Sequence, residues 1–188
     1  AVLKGSSINH VGAASGITVP SPVAQGEMIA RNFKKTGIDP ETISYIEAHG
    51  TGTKLGDPIE ISALSQVFGR DSQDIGFCRI GSAKSNIGHC EGAAGMSGLS
   101  KVLLQMKYQQ LAPSLHSKAL NPNIDFERTP FIVNQELRPW ERPIIEGEEI
   151  PRIAGISSFG AGGSNAHLII REYQDPFDSP LETNSIVP

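Results

Sequence analysis

The chain lacks the features that mark several common classes of protein. Its 188 residues include only two cysteines, which are too few for a disulfide framework and predict a reducing, cytoplasmic location. No apolar run reaches membrane-spanning length, so we expect no membrane contact. Lys plus Arg number 16 and Asp plus Glu number 20, and the basic stripe of a nucleic-acid-binding protein is missing. No His, Cys or Asp spacing is typical of a metal site.

The residues that are present predict a folded α/β protein. Hydrophobic residues make up 38% and charged residues 19%, as in a typical globular domain. Strand-type and helix-type segments alternate from the N-terminus, which is typical of α/β layers. Ser21 is the expected N-cap of the first helix, and Gly37 its end. The predicted strands are residues 1–8, 43–48 and 77–82, and the predicted helices begin at Pro22, Asp57 and Glu91.

The third predicted helix, residues 91–108, begins with a half made almost entirely of small residues. Small side chains allow close packing, so we expect this half to be buried. Short strands follow at 130–137, 153–159 and 167–171, with a polar connection at 140–149 and a glycine-rich loop at 160–166. Residues 175–188 contain prolines and acidic residues without periodicity, and we interpret them as a linker or a surface tail.

Two histidines in similar surroundings are the main candidates for chemistry. His49 follows a predicted strand in the segment EAHGTGT, and His89 follows another in SAKSNIGHCEGAAG, five residues after Lys84. A buried lysine near an imidazole disfavours the charged imidazolium and so favours the neutral ring. A neutral imidazole can donate an N–H to a developing oxyanion. We therefore predict that the two histidines converge on one site, although each alone could be an ordinary loop histidine.

The neighbouring residues leave alternatives open. Glu60 lies in the first turn of a predicted helix, where it suits the helix dipole or could pair with Lys84. The glycines after Phe159 form either a simple hairpin or a turn that directs backbone N–H groups into a cleft. Cys90 is adjacent to His89, but neighbours at a helix start point in different directions. A small buried residue is therefore the favoured interpretation of Cys90 over a nucleophile.

Three segments together resemble the C-terminal half of a β-ketoacyl synthase domain. They are EAHGTGTKLGDPIE at 47–60, GSAKSNIGHCEGAAG at 81–95 and ISSFGAGGSNAHLII at 156–170. The resemblance is to polyketide synthases, and residues 121–140 are similar to the bacterial modular type that uses a separate acyltransferase. It predicts a C-terminal ketosynthase half at 1–172 and a linker or tail at 173–188.

The resemblance implies a thiolase-like layered fold in which two similar α/β halves stack, this chain being the second half. Such synthases extend an acyl chain by decarboxylative Claisen condensation. A cysteine holds the chain as a thioester, and a malonyl-type extender arrives on the phosphopantetheine arm of acyl carrier protein. The implied partners are the N-terminal half, the carrier protein and a second copy of the complete domain, while this half holds no cofactor of its own.

The resemblance also implies roles for individual residues. His49 and His89 would stabilise the enolate oxygen during decarboxylation. Lys84 would hold the charge state of the site, with Glu60 as its ion-pair partner.

Three further residues would contact the substrates. Thr51 and Thr53 would contact the phosphopantetheine arm, and the backbone N–H of Phe159 would serve an oxyanion hole.

One departure from the family pattern limits what this chain can do. The nucleophilic cysteine of the family lies in its N-terminal half, in a motif close to Thr-Ala-Cys-Ser-Ser, which does not occur here. Neither Cys78 nor Cys90 matches it. We therefore expect condensation only together with an N-terminal half. The alternatives are a chain-transferring, non-condensing synthase, a non-catalytic docking piece, or a hydrolase that uses Cys90.

Overall fold

The structure is a computed structural model that describes residues 1–12, 16, 19–69 and 75–174. The helices are α1 (Pro22–Thr36), α2 (Gly56–Phe68), α3 (Lys84–Ile87) and α4 (Ala94–Tyr108). The strands are β1 (Val2–His10), β2 (Tyr45–Glu47), β3 (Cys78–Gly81), β4 (Gln110–Leu111), β5 (Phe131–Val133), β6 (Arg138–Pro139), β7 (Ile144–Ile145), β8 (Glu148–Glu149), β9 (Ile153–Phe159) and β10 (Ser164–Arg171).

Six of these strands form one mixed sheet in the order β1-β10-β9-β2-β3-β5. Strand β10 is antiparallel to both of its neighbours, whereas β9, β2, β3 and β5 run parallel. Because β2 and β3 are parallel neighbours, their carboxyl ends open at the same edge of the sheet. The segments that carry the two candidate histidines both leave the sheet at this edge.

Helices cover both faces of the sheet, which confirms the predicted α/β layers. On one face α1 and α2 pack with β2, β3 and β5 around a core that includes Met28, Phe33 and Phe68. On the other face α4 packs around Val102 and Met106 against β2, β9 and β10. Among the described residues, no helix is both long enough and apolar enough to cross a membrane.

Local capping explains where α1 begins and ends. The Ser21 hydroxyl accepts the N–H of Ala24 at 3.2 Å, which satisfies one of the free donors of the first turn. Gly37 has φ 65°, a left-handed conformation that glycine adopts without a Cβ clash, and its N–H bonds the carbonyl of Phe33. Both predicted boundaries of this helix are confirmed.

The third predicted helix differs from the expectation in two ways. It begins as a 3₁₀ turn at Glu91–Ala93, and α4 starts at Ala94. The expected burial of its small-residue half is wrong, because Met96 is 62% exposed. Within this half, Ala94 and Gly98 are the fully buried positions among the described residues. The small side chains therefore serve close packing on one side of the helix only.

The C-terminal third contains more structure than its sequence pattern predicts. The segment 140–149 is not simply a polar connection, because Trp140 is only 2% exposed and β7 and β8 form a hairpin. Trp140 is buried because its indole donates to Ser44 and its ring packs against Tyr45. The predicted strand at 130–137 is reduced to β5, and the loop before β10 ends at Gly163. The predicted tail, 175–188, lies outside the described residues.

Candidate active site

His49 lies two residues beyond the end of β2 and is held by a buried carboxylate. The N–H groups of His49 and Gly50 donate to Oε1 and Oε2 of Glu60 at 2.8 and 2.9 Å. Glu60 is on α2 and only 4% exposed, so α2 fixes the turn that carries the imidazole. Burial raises the pKa of Glu60 to about 7, although the two backbone donors oppose this shift.

His89 reaches the same place from the neighbouring strand. Helix α3 follows β3 and ends at Gly88, which has φ 78° and turns the chain before His89. The His89 imidazole is exposed, and its ring centroid lies 5.6 Å from that of His49 with the two planes at 83°. The structure therefore brings the two predicted histidines together.

Hydrogen bonds fix which nitrogen of each ring carries the proton. The N–H of Glu91 donates to Nδ1 of His89 at 2.9 Å, and the N–H of Phe159 donates to Nδ1 of His49 at 3.3 Å. A ring nitrogen that accepts has no proton, so Nε2 carries it in both neutral rings. Burial, the Lys84 charge and His89 together lower the pKa of His49 to about 4, which keeps this ring neutral.

The predicted ion pair between Lys84 and Glu60 is wrong for this structure. Their charged atoms do not approach within 4.0 Å, and each Glu60 oxygen instead accepts a backbone N–H. The two groups still influence each other through space. Burial lowers the pKa of Lys84, while the charges of Glu60 and Glu47 oppose this.

Thr51 and Thr53 lie in the exposed turn between His49 and α2. Their hydroxyl oxygens are 3.4 Å apart, and that of Thr53 also accepts the N–H of Gly56 at the start of α2. The N–H of Gly52 donates to Asp57, which further fixes this turn. Both hydroxyls are accessible to a molecule that enters the site.

These groups share one open cleft of about 660 Å³. The Phe159 ring lies 5.4 Å from the His49 ring. The backbone N–H of Phe159 donates to His49 and is therefore not a free donor in the cleft. The predicted site residues that line the cleft are His49, His89, Thr51, Thr53, Glu60 and Phe159. Within the described part of the chain, no three His, Cys, Asp or Glu side chains gather as a metal site.

Cys90 does not form a nucleophile–base pair with His89. Its sulfur lies 3.8 Å from the carbonyl oxygen of Gly88, and Nδ1 of His89 is engaged by the N–H of Glu91. Both cysteines are free thiols, and Cys78 is buried in β3. The hydrolase alternative thus gains no support from the geometry.

Sequence reasoning missed one group beside the site. A buried ionic cluster joins Glu47 and Tyr45 of β2, the strand that leads to His49, with Lys101 of α4. The available signal was a single carboxylate at the end of an otherwise apolar strand, SYIEA, in a position where burial is costly unless the charge is paired.

The fold and the site define a class of protein in which two imidazoles meet in one cleft at the carboxyl ends of neighbouring parallel strands. A model of the β-ketoacyl synthase C-terminal domain matches residues 1–118. A model of the ketoacyl-synthetase C-terminal extension matches residues 121–187. The chain belongs to the β-ketoacyl synthase family.

Bacterial polyketide synthases are among the curated relatives. The chain is 62% identical over 176 residues to polyketide synthase PksL of Bacillus subtilis, covering 92% of this chain and 4% of that protein. It is 53% identical over 188 residues to polyketide synthase ThaG of Burkholderia thailandensis, covering 97% of this chain and 3% of that protein. The chain thus spans only a small fraction of these relatives.

Solved ketosynthases have the same fold. The ketosynthase from module 6 of the bacillaene synthase of Bacillus subtilis 168 matches with a TM-score of 0.86 and 49% identity, covering 92% of this chain and 30% of that one. The oxazolomycin ketosynthase domain OzmH KS7 of Streptomyces albus JA3453 matches with a TM-score of 0.89 and 48% identity, covering 95% and 31%. The predicted thiolase-like fold and the assignment to the ketosynthases of modular polyketide synthases are confirmed, and the trans-acyltransferase type fits the bacillaene-type relatives.

Proposed function

We propose that this chain is the C-terminal half of a polyketide ketosynthase that catalyses decarboxylative Claisen condensation. The observation that carries this proposal is the pair of neutral imidazoles, His49 and His89, in one cleft. Both accept a backbone N–H at Nδ1, which leaves two Nε2–H donors for one oxygen atom. Two fixed donors suit an oxygen that gains negative charge in the transition state.

The proposed reaction begins with a malonyl-type thioester on acyl carrier protein. Its C–C bond to the carboxylate breaks, carbon dioxide leaves, and the electron pair forms an enolate whose oxygen accepts from His49 and His89. The enolate carbon then attacks the carbonyl carbon of an acyl thioester held by a cysteine. Collapse of the tetrahedral intermediate expels the cysteine thiolate and leaves a β-ketoacyl chain on the carrier protein.

The remaining residues have supporting roles in this proposal. Lys84 keeps a positive charge near His49, which disfavours protonation of that ring. Glu60 holds the His49 turn through backbone N–H groups instead of through a direct ion pair. Thr51 and Thr53 contact the phosphopantetheine arm as it enters. The Phe159 N–H holds the His49 ring by donating to Nδ1, and service in an oxyanion hole would require it to leave that bond.

The proposal assigns the nucleophilic cysteine to an N-terminal half that this chain does not contain. The complete domain then works with acyl carrier protein, as a homodimer in the cytoplasm, and residues 1–172 belong to the catalytic domain. Two free cysteines and the absence of a disulfide among the described residues are in keeping with that location. The presence of His49 favours a condensing enzyme over one that only transfers chains.

The test is the release of carbon dioxide from malonyl-acyl carrier protein by the complete ketosynthase domain. We expect His49→Ala and His89→Ala each to lower this rate by about 100- to 1,000-fold, the usual effect of losing one oxyanion donor. Acylation of the cysteine, followed by intact mass, should continue. His116→Asn is the matched control, because His116 is exposed, has φ 59° and lies outside the cleft. Unchanged carbon dioxide release in both histidine variants would refute the proposal.

A further inference from the structure

A buried carboxylate ends the strand that leads to His49 and has no role in the chemistry described above. Glu47 is the last residue of β2, two positions before His49, and its side chain is 3% exposed. Burying a charge is costly unless the charge is paired and hydrogen-bonded. The surroundings of Glu47 therefore indicate what it contributes.

One oxygen of Glu47 belongs to a closed ionic cluster. Oε2 accepts from Nζ of Lys101 at 2.9 Å and from the Tyr45 hydroxyl at 2.8 Å. The same lysine lies 2.8 Å from the Tyr45 hydroxyl, so all three groups contact one another. Lys101 comes from α4 and its side chain is 11% exposed, so the carboxylate is neutralised within the protein.

The other oxygen of Glu47 reaches the second histidine segment. Oε1 accepts the N–H of Ala83 at 2.5 Å. Ala83 immediately precedes α3, which begins at Lys84 and leads to His89. One side chain thus connects the end of β2, which carries His49, to the start of the segment that carries His89.

Two glycines make room for this cluster. A Cβ at Gly98 of α4 would lie 3.1 Å from Cγ of Glu47. A Cβ at Gly81 of β3 would lie 2.9 Å from the Tyr45 hydroxyl. At Gly98 a Cβ would be tight enough to push Glu47 by a few tenths of an ångström, so the position of Glu47 depends on the missing side chain there. This packing accounts for part of the small-residue half of α4.

Two carboxylates thus hold the site from different sides. Glu60, on α2, fixes the turn that follows β2 by accepting from His49 and Gly50. Glu47 links the end of β2 to the start of α3 by accepting from Ala83, on the face of the sheet that α4 covers. Of the two, Glu47 is the one that contacts both histidine-bearing segments.

We propose that Glu47, with Lys101 as its counter-ion, is a positioning residue that sets the separation of the His49 and His89 imidazoles. This inference rests on the proposed function, because only a shared oxyanion gives the 5.6 Å ring separation a catalytic meaning. A misplacement of about 1 Å can lower a rate about 100-fold even when no reacting group is lost.

The test compares two reactions of the complete ketosynthase domain. In Glu47→Ala we expect kcat for malonyl decarboxylation to fall about 100-fold, while KM for the malonyl carrier protein and cysteine acylation stay near wild type. The double variant Glu47→Gln with Lys101→Met should restore most of the rate, since the amide oxygen still accepts from Ala83 and no charge is left unpaired. Glu149→Ala is the control, because Glu149 is an exposed carboxylate paired with Arg142.

A milder variant keeps the test informative if Glu47→Ala fails to fold. Gly98→Ala places a methyl group against Cγ of Glu47 and leaves the charges intact, so decarboxylation should fall while acylation does not. Equal losses of decarboxylation and acylation in these variants would mean a merely structural role and would overturn the inference. A wild-type decarboxylation rate in Glu47→Ala would do the same.

Failure of the Glu47 inference can be distinguished from failure of the proposed function. A wild-type domain that releases no carbon dioxide refutes the proposed function, whatever Glu47 does. A crystal structure of the Glu47→Ala domain then decides the positioning role. An unchanged ring separation of 5.6 Å would overturn it, and a displaced His89 segment would support it.

Discussion

Acid should destabilise this fold through one buried histidine that has no part in the proposed chemistry. His167 lies on β10 with 0% exposure, its Nδ1 lies 3.1 Å from the Ser157 hydroxyl, and its ring packs against Phe33. Nε2 has no hydrogen-bond partner among the described residues, so an added proton would be buried without compensation. Burial accordingly lowers the pKa of His167 from 6.5 to about 4.

The sign and size of the effect follow from linkage. Because the folded-state pKa lies below that of the unfolded chain, the unfolded chain binds the proton first as the pH falls. The contribution of His167 to stability is complete above pH 6.5 and is lost progressively down to about pH 4. Each pH unit is worth about 1.4 kcal/mol, so the whole interval is worth about 3 kcal/mol.

The assay is urea unfolding of the complete domain at a series of pH values, in wild type and in His167→Asn. Asparagine keeps a polar partner for Ser157 but does not titrate. Glu60, whose pKa is raised to about 7, adds stability as the pH falls. His49, whose pKa is lowered, loses stability as the pH falls, as His167 does. The difference between the two profiles removes both contributions. Parallel profiles between pH 6.5 and 4.5 would refute the reasoning, and His116→Asn should leave the wild-type profile unchanged.

Three substitutions test the packing that supports the site, each measured as the free energy of unfolding of the complete domain. Gly155→Ala should cost about 1–3 kcal/mol, because the new Cβ would lie 2.7 Å from Ile46 Cδ1; Gly162→Ala, with open space around it, should be neutral. Ser21→Ala should cost about 1 kcal/mol through loss of the α1 N-cap. Arg152→Met should cost about 2 kcal/mol, since the hydrogen bonds of Arg152 to Trp140 and Glu172 are lost while Arg142 still pairs with Glu172. A loss of stability no larger than that of Gly162→Ala would contradict each expectation.

The sequence predicted those parts of the site that depend on local pattern and chain order. His49 and His89 could be placed together because each follows a strand-type segment, and the carboxyl ends of neighbouring parallel strands share one edge. Ser21 and Gly37 also predicted the two ends of α1, because helix caps depend on residues close in sequence.

Features that depend on contacts between distant segments could not be predicted. The ion pair of Glu60 with Lys84 was expected from resemblance, but the carboxylate is engaged by backbone donors that no residue-type pattern reveals. The cluster of Glu47 with Lys101 joins residues 54 positions apart, so helix or strand periodicity carries no signal for it. Burial of Trp140 likewise depends on Ser44 and Tyr45 from another segment.

The most direct test of the central claim is the mass of the chain attached to acyl carrier protein after reaction. The complete ketosynthase domain is first acylated and then given malonyl-acyl carrier protein. We expect a carrier protein that bears the acyl chain extended by one two-carbon unit, with the cysteine freed and both His49 and His89 required. A carrier protein that receives the acyl chain with no added carbon would contradict condensation and would identify a chain-transferring enzyme instead.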